Sequence, residues 1–169
     1  DMINRSVPGY SAIIDMVGQL ARRYCKNGSI IFDLGCSLGA SSLSITKHMD
    51  HNDYKIIAID NSEAMITRLK AALQGQKASA KQIKVKLEDI RESEIKSASM
   101  VVLNFTLQFI TVEDRDKLIQ KISSGMHSGG ILIISEKVCF TNKEINSLFI
   151  DLYHKFKEKQ GYSELEISQ

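Results

Sequence analysis

Residues 29–39 read Ser-Ile-Ile-Phe-Asp-Leu-Gly-Cys-Ser-Leu-Gly, and the reading of this stretch decides the fold. Ile30, Ile31 and Phe32 form an apolar run without alternation, the pattern of a strand covered on both faces. The run ends at Asp33 and enters a turn carrying Gly35 and Gly39, after which residues 40–49 suit a helix. Glycines at such a turn let the backbone approach a ligand and are expected to expose amide donors. The spacing is G-x-x-x-G, not the dinucleotide pattern G-x-G-x-x-G, and no lysine follows in the phosphate-loop arrangement. Ser37, in the middle of the turn, adds a hydroxyl that would touch a ligand. The plain alternative is a tight strand-to-helix turn with no ligand at all.

Outward from this turn the same alternation repeats. A helix pattern from Ser11 to Cys25 precedes it, with Ile13, Ile14, Val17 and Leu20 on one face, and Asn27-Gly28 ends that helix. Residues 55–60, Lys-Ile-Ile-Ala-Ile-Asp, form a second buried strand closed by an acid, and Ser62 caps the helix that follows. Residues 83–87, Ile-Lys-Val-Lys-Leu, alternate cleanly, so Lys84 and Lys86 are expected to protect an edge strand. Residues 98–105 are a further buried strand, 112–126 a helix, 127–130 a turn, and 131–137 a fifth strand. A long helix from about Asn142 to Lys159 places Ile145, Leu148, Phe149, Leu152, Tyr153 and Phe156 on one stripe, Gly161 ends it, and the last residues begin another short helix. The opening segment, residues 1–10, is read as a lead-in carrying the single proline. Alternating elements with short loops imply an α/β fold, Rossmann-like, with a mostly parallel central sheet and helices on both faces. No repeat or linker interrupts it, so one domain over residues 1–169 is the economical reading.

In such a sheet the carboxyl ends of the strands line the ligand crevice. Asp60 stands at one end, placed to accept from both hydroxyls of a ribose, with Asn61 within reach of the same sugar. Its alternative role is a helix cap, which Ser62 already supplies. Asp89 and Ile90 stand at the next end, a carboxylate for an adenine amino group and an apolar side chain to pack on the ring; Glu88 is the weaker candidate and would face solvent. Asn104 ends the fourth strand, where it would bond a charged tail, and Phe105 either covers the site or packs in the core. Together these ends match a nucleoside with a charged tail.

Composition narrows the classes. The 169 residues carry a net charge of +2, with dispersed lysines and arginines, so no nucleic-acid face is implied. Cys25, Cys36 and Cys139 are odd in number and widely spaced, which fits neither a disulfide framework nor a zinc motif and points to a reducing, cytoplasmic setting. No apolar run is long enough to span a bilayer, and no signal peptide is visible. The four histidines, His48, His51, His127 and His154, sit away from the strand ends, so no general base is identified.

Gly35-Cys-Ser-Leu-Gly39, Ala58-Ile-Asp-Asn-Ser62 and Glu88-Asp-Ile90 resemble the cofactor motifs of class I S-adenosylmethionine-dependent methyltransferases. A narrower resemblance rests on Arg5-Ser-Val-Pro-Gly-Tyr10, Asp33 to Gly39, Val102-Leu-Asn-Phe-Thr-Leu-Gln-Phe109 and Gly161 to Gln169, which look like the carboxy-S-adenosylmethionine synthase family from one end of the chain to the other. That resemblance implies a carboxyl transfer. S-adenosylmethionine and prephenate would give carboxy-S-adenosylmethionine and phenylpyruvate, with no metal. The product would serve a downstream enzyme in 5-oxyacetyl modification of wobble uridine in tRNA. It further implies a homodimer that need not touch tRNA or membrane, with Tyr10, Gly35, Cys36, Ser37, Asp60, Asn61, Asp89, Ile90 and Asn104 as cofactor contacts. The family's carboxylate-binding arginine lies in a Lys-Arg pair directly after the Ser-Gln at 168–169, and its sheet has two further strands. Neither end of the sequence reads as a natural terminus, so the chain is expected to be truncated at both ends, and without the further strands to leave an apolar sheet edge at residues 131–134. The rival readings are a conventional methyltransferase acting on a small molecule or RNA, a non-catalytic binding domain and, more weakly, a hydride-transferring dehydrogenase.

Overall fold

A computed structural model describes residues 2–75 and 79–168. In chain order the elements are α1 (Met2–Ser6), α2 (Tyr10–Tyr24), β1 (Ser29–Leu34), α3 (Ala40–His48), β2 (Tyr54–Asp60) and α4 (Glu63–Gln74), then β3 (Ile83–Leu87), β4 (Ala98–Asn104), α5 (Val112–Gly125), β5 (Met126–Ser135), α6 (Lys143–Lys159) and α7 (Glu164–Ser168). The chain divides into two compact units, Ile14–Glu136 and the pair of segments Asp1–Ile13 with Lys137–Gln169.

The first of these holds the sheet, ordered β3-β2-β1-β4-β5. Every pairing in it is parallel. The reason lies in the alternation within buried strands: Ile31, Ile56, Ala58, Met100 and Val102 face one side, while Phe32, Leu34, Ile59, Val101 and Leu103 face the other. The first face is covered by Val17 and Ala21 of α2, Ile45 of α3, and Ile66, Leu69 and Leu73 of α4. The second is covered by Leu118 and Ile122 of α5, with Ile90 and Ile95 from the β3–β4 connection. Both faces being apolar is what makes these strands read as continuous runs. β3 is an edge, with Lys84 exposed as expected. β5 is the other edge, and Ile134 is 44% exposed there. The chain reverses direction across the sheet between β1 and β4, so a crevice opens at their carboxyl ends.

Two expectations are corrected. Residues 127–130 do not form a free turn; they lie within β5, and the pairing steps from Ala98↔Met126 to Met100↔Ile131. This bulge accommodates the extra residues, and buried Ser99 helps hold it, since its Oγ accepts the Ile30 amide at 3.3 Å and meets His127 Nε2 at 3.0 Å. The opening segment, read as a lead-in, contains a short helix, α1.

The other unit is built from α1, the first residues of α2, and α6 with α7. Asn142 caps α6 by accepting from the amides of Glu144 and Ile145. Arg5 joins its two ends: Nε donates to the Gln160 carbonyl at 2.9 Å, Nη2 to that of Gly161 at 3.1 Å, and the guanidinium lies 4.9 Å from the Tyr162 ring centroid. The apolar stripe of α6 stays largely open, with Leu148, Phe149 and Leu152 each about half exposed.

Candidate functional site

The parallel register brings Gly35, Asp60, Glu88 and Asn104 to neighbouring strand ends, because Leu34 is level with Ile59 and Leu103, and Asp60 with Leu87. The glycine turn is held rigidly between them. Gly35 has φ +74°, and a Cβ there would stand 2.5 Å from the Thr106 side chain. Gly39 has φ +80°, and a Cβ there would stand 2.6 Å from Leu69 Cδ1. Only glycine meets both demands. Ser37 also takes a positive φ, of 48°.

Four amides of this turn are engaged within the protein, where its glycines had suggested donors open to a ligand. Gly35 and Cys36 both donate to the Ile59 carbonyl at 2.8 and 2.9 Å, Ser37 donates to Asp60 Oδ2 at 2.8 Å, and Gly39 donates to the Cys36 carbonyl at 2.7 Å. The Ser37 side chain is exposed, and its hydroxyl donates to Met65 Sδ at 3.7 Å. A turn whose amides are so engaged does not suit a phosphate, which needs free amide donors. Cys36 is buried, and burial pushes its thiol well above the ordinary range, with Asp33 and Asp60 adding to the effect. It packs as an apolar side chain.

Asp60 carries two loads. Oδ2 holds the Ser37 amide and Oδ1 accepts the Ser62 amide at 2.9 Å, while Ser62 itself caps α4 through the Met65 amide. Four lone-pair positions on a carboxylate leave room for ribose hydroxyls beside these. Asn61 is exposed next to it.

The Asp89 turn is more heavily braced than the sequence indicates. Arg91 grips Asp89 through Nε at 3.1 and 3.2 Å and through Nη2 at 2.6 Å. These bonds hold the Asp89 carboxyl below its usual range. Ile90 is buried at 6% exposure within the core on the α5 side of the sheet, so its side chain leaves little surface for a ring. Glu88 pairs with Lys86 at 2.9 Å and accepts from Ser93, bonds that lower its carboxyl as well. Asn104 ends β4 with its Oδ1 buried and without a hydrogen-bond partner. An unmet acceptor of this kind costs about 1–3 kcal/mol, which a donor on a bound molecule would recover. Tyr10 lies in the other compact unit, where it opens α2 and is 8% exposed.

Several supporting residues escaped the sequence reading. Asp33 is 2% exposed and caps α3 from below, accepting the Ser42 amide at 3.1 Å and the Ser42 hydroxyl at 2.6 Å. Thr106 donates to the Leu34 carbonyl at 2.9 Å and so ties the β4 loop to the glycine turn. Glu136 accepts the Leu107 amide at 2.6 Å, and Phe105 takes φ 56° at the bend directly after β4. Lys121 donates to three carbonyls of the Asp89 turn. Of these, only Asp33 left a local signal, its place in β1 just before the glycines.

The arrangement fits an adenosine bearing an amino-acid tail: an unpaired acceptor on Asn104, carboxylates on Asp60 and Asp89, and the glycine turn after β1. Among the described residues no group of three or more His, Cys, Asp or Glu stands where it would hold a metal ion, and no helix is long and apolar enough to cross a membrane. Residues 31–130 match the family described as methyltransferase domain. Coclaurine N-methyltransferase, solved with N-methylheliamine and SAH, superposes with a TM-score of 0.59 at 21% identity, covering 74% of this chain and 36% of its own. Fold and family match together define an enzyme of the class I S-adenosylmethionine-dependent methyltransferase superfamily. Carboxy-S-adenosyl-L-methionine synthases of Vibrio atlanticus and Vibrio parahaemolyticus are each 54% identical over the whole of this chain, which spans 69% of their length. The chain belongs to the carboxy-S-adenosyl-L-methionine synthase family.

Proposed function

We propose that this chain makes carboxy-S-adenosylmethionine from S-adenosylmethionine and prephenate, releasing phenylpyruvate and water. The observation that carries the reading is whole-chain identity of 54% to synthases of that name, in a chain whose strand ends bear Asp60, Asp89 and Asn104. S-adenosylmethionine is the substrate that supplies the sulfonium methyl. Asp60 and Asn61 hold its ribose, Asp89 and Ile90 its adenine. The Gly35–Ser37 turn and Asn104 receive its amino-acid portion, and Tyr10 is a further cofactor contact that the family kinship implies. As prephenate aromatises, its ring carboxylate leaves as carbon dioxide and its ring hydroxyl as water, the latter carrying away the proton lost by the methyl. The resulting methylene carbanion, stabilised by the sulfonium, forms the new carbon–carbon bond to carbon dioxide. A metal has no role in this sequence. An arginine outside residues 1–169 would hold the new carboxylate, since a guanidinium grips it at two points.

The remaining parts of the proposal follow from the same kinship. The protein works in the cytoplasm as a homodimer, and the open stripe of α6, Leu148, Phe149 and Leu152, is the kind of surface a second copy covers. Its product passes to a tRNA uridine carboxymethyltransferase, and the chain itself need not bind tRNA.

The test is native mass spectrometry of the purified protein, followed by mass analysis of the released small molecule after incubation with S-adenosylmethionine and prephenate. A species heavier than S-adenosylmethionine by one carboxyl group in place of a hydrogen, formed only with prephenate, supports the reading. Bound S-adenosylmethionine or its demethylated product, with no prephenate-dependent species, instead makes the chain a conventional methyltransferase.

A further inference from the structure

The turn after β3 presents three backbone carbonyls that its own amides leave unmet. Within it the amides of Glu92 and Ser93 both turn back to the Asp89 carbonyl at 3.0 Å, as in a single helical turn. The carbonyls of Ile90, Arg91 and Ser93 therefore point out of the turn with no partner in it, the situation of a helix C-terminus. All three converge on one atom. Lys121 Nζ, reaching from α5, lies 2.8 Å from the Ile90 oxygen, 2.7 Å from that of Arg91 and 2.9 Å from that of Ser93.

An ammonium group has three N–H donors, and here each has a carbonyl. This full use distinguishes Lys121 from a surface lysine. It is partly buried, and burial pushes it below the ordinary lysine range, opposed by the nearby Glu92 and Asp89. Its neighbour Lys117 is exposed and reaches only Asp114, at 3.5 Å. The turn so held carries Asp89 and Ile90 at its start, and Ser93 Oγ further links it to Glu88 and to the Asp89 carbonyl.

We propose that Lys121 is the positioning residue of the adenine site: its ammonium fixes the 89–93 turn and thereby sets how well Asp89 meets the amino group of adenine. The proposal rests on the reading above that Asp89 and Ile90 receive adenine. Lys121 itself does not touch the ligand. Without it three carbonyls lose a charge-assisted bond each and the turn relaxes, carrying the Asp89 carboxylate out of line.

The experiment is calorimetric titration of the purified full chain with S-adenosylhomocysteine and with S-inosylhomocysteine, in which a carbonyl replaces the adenine amino group. Wild type, Lys121→Met, Lys121→Gln and Asp89→Asn are compared, each with its thermal midpoint. Lys121→Met keeps the apolar stem and is expected to weaken S-adenosylhomocysteine about tenfold, and S-inosylhomocysteine less than about twofold. Lys121→Gln, with two donors and no charge, falls between, and remains informative if the methionine variant does not fold. Equal affinity of wild type and both Lys121 variants for S-adenosylhomocysteine overturns the proposal. So does an equal loss for both ligands, which signals general damage to the site. Asp89→Asn separates the two readings. If it leaves the preference for adenine over hypoxanthine unchanged, the adenine assignment itself is wrong; if it abolishes that preference while Lys121→Met does not, only the role of Lys121 fails.

Discussion

Replacing Asp33 by asparagine should make the protein more stable at neutral pH, and the gain should vanish in acid. Asp33 is 2% exposed beneath the glycine turn. Burial raises its carboxyl to about 6, against the lowering effect of the two bonds from Ser42, and nearby Asp60 adds to the rise. In the unfolded chain the same group titrates near 3.9. Between these values the native state binds more protons than the unfolded state, so stability falls as pH rises through the window from about 4 to about 6. The gap, at about 1.4 kcal/mol per pH unit, makes a cost of about 3 kcal/mol that is fully present above pH 6 and absent below pH 4. An asparagine has no proton to lose, and its side-chain oxygen still accepts from the Ser42 amide and hydroxyl. The difference in unfolding free energy between Asp33→Asn and wild type is thus expected to rise by about 3 kcal/mol from pH 4 to pH 7. Urea denaturation of both proteins at half-unit pH steps measures it, and subtraction removes the titration of every other carboxylate. A difference that stays flat, or that shrinks as pH rises, would refute the reasoning.

Two further perturbations test the scaffold. Gly35→Ala asks a side chain to occupy φ +74° and to displace Thr106 from its bond to Leu34, and should lower unfolding free energy by about 2–3 kcal/mol in denaturant titrations. An unchanged midpoint would mean the turn is looser than its contacts indicate. Ile122→Ala removes a fully buried side chain from the α5 side of the sheet and should cost about 2–5 kcal/mol, with hydrogen exchange accelerating across β4; a cost below 1 kcal/mol would show that α5 packs less tightly than it does here.

Much was legible in the sequence because it depended on neighbours in the chain. Ile30–Phe32, residues 55–60 and 98–104 announced buried parallel strands, since a strand covered on both faces has no polar side to show. The glycine pair announced the turn, because only glycine tolerates those backbone angles against close neighbours. Asp60 and Asn104 were legible through their place at strand ends, where a parallel sheet collects its ligand-facing groups. Tertiary structure alone decided how those groups are braced. Arg91 closing on Asp89, Thr106 filling the space that Gly35 leaves, and Asp33 capping α3 all depend on side-chain directions that no local pattern encodes. The same holds for the Gly35 and Cys36 amides, which the sequence suggests would face a ligand and which the adjacent β2 instead engages through the Ile59 carbonyl. Lys121 is the sharpest case. Thirty residues separate it from Arg91, and nothing near it in the chain marks it, yet the packing of α5 against the sheet brings its ammonium to three carbonyls at once. Periodicity reports which face of an element is buried; it does not report which polar groups meet across two elements, because that meeting is fixed by the distance and rotation at which they pack.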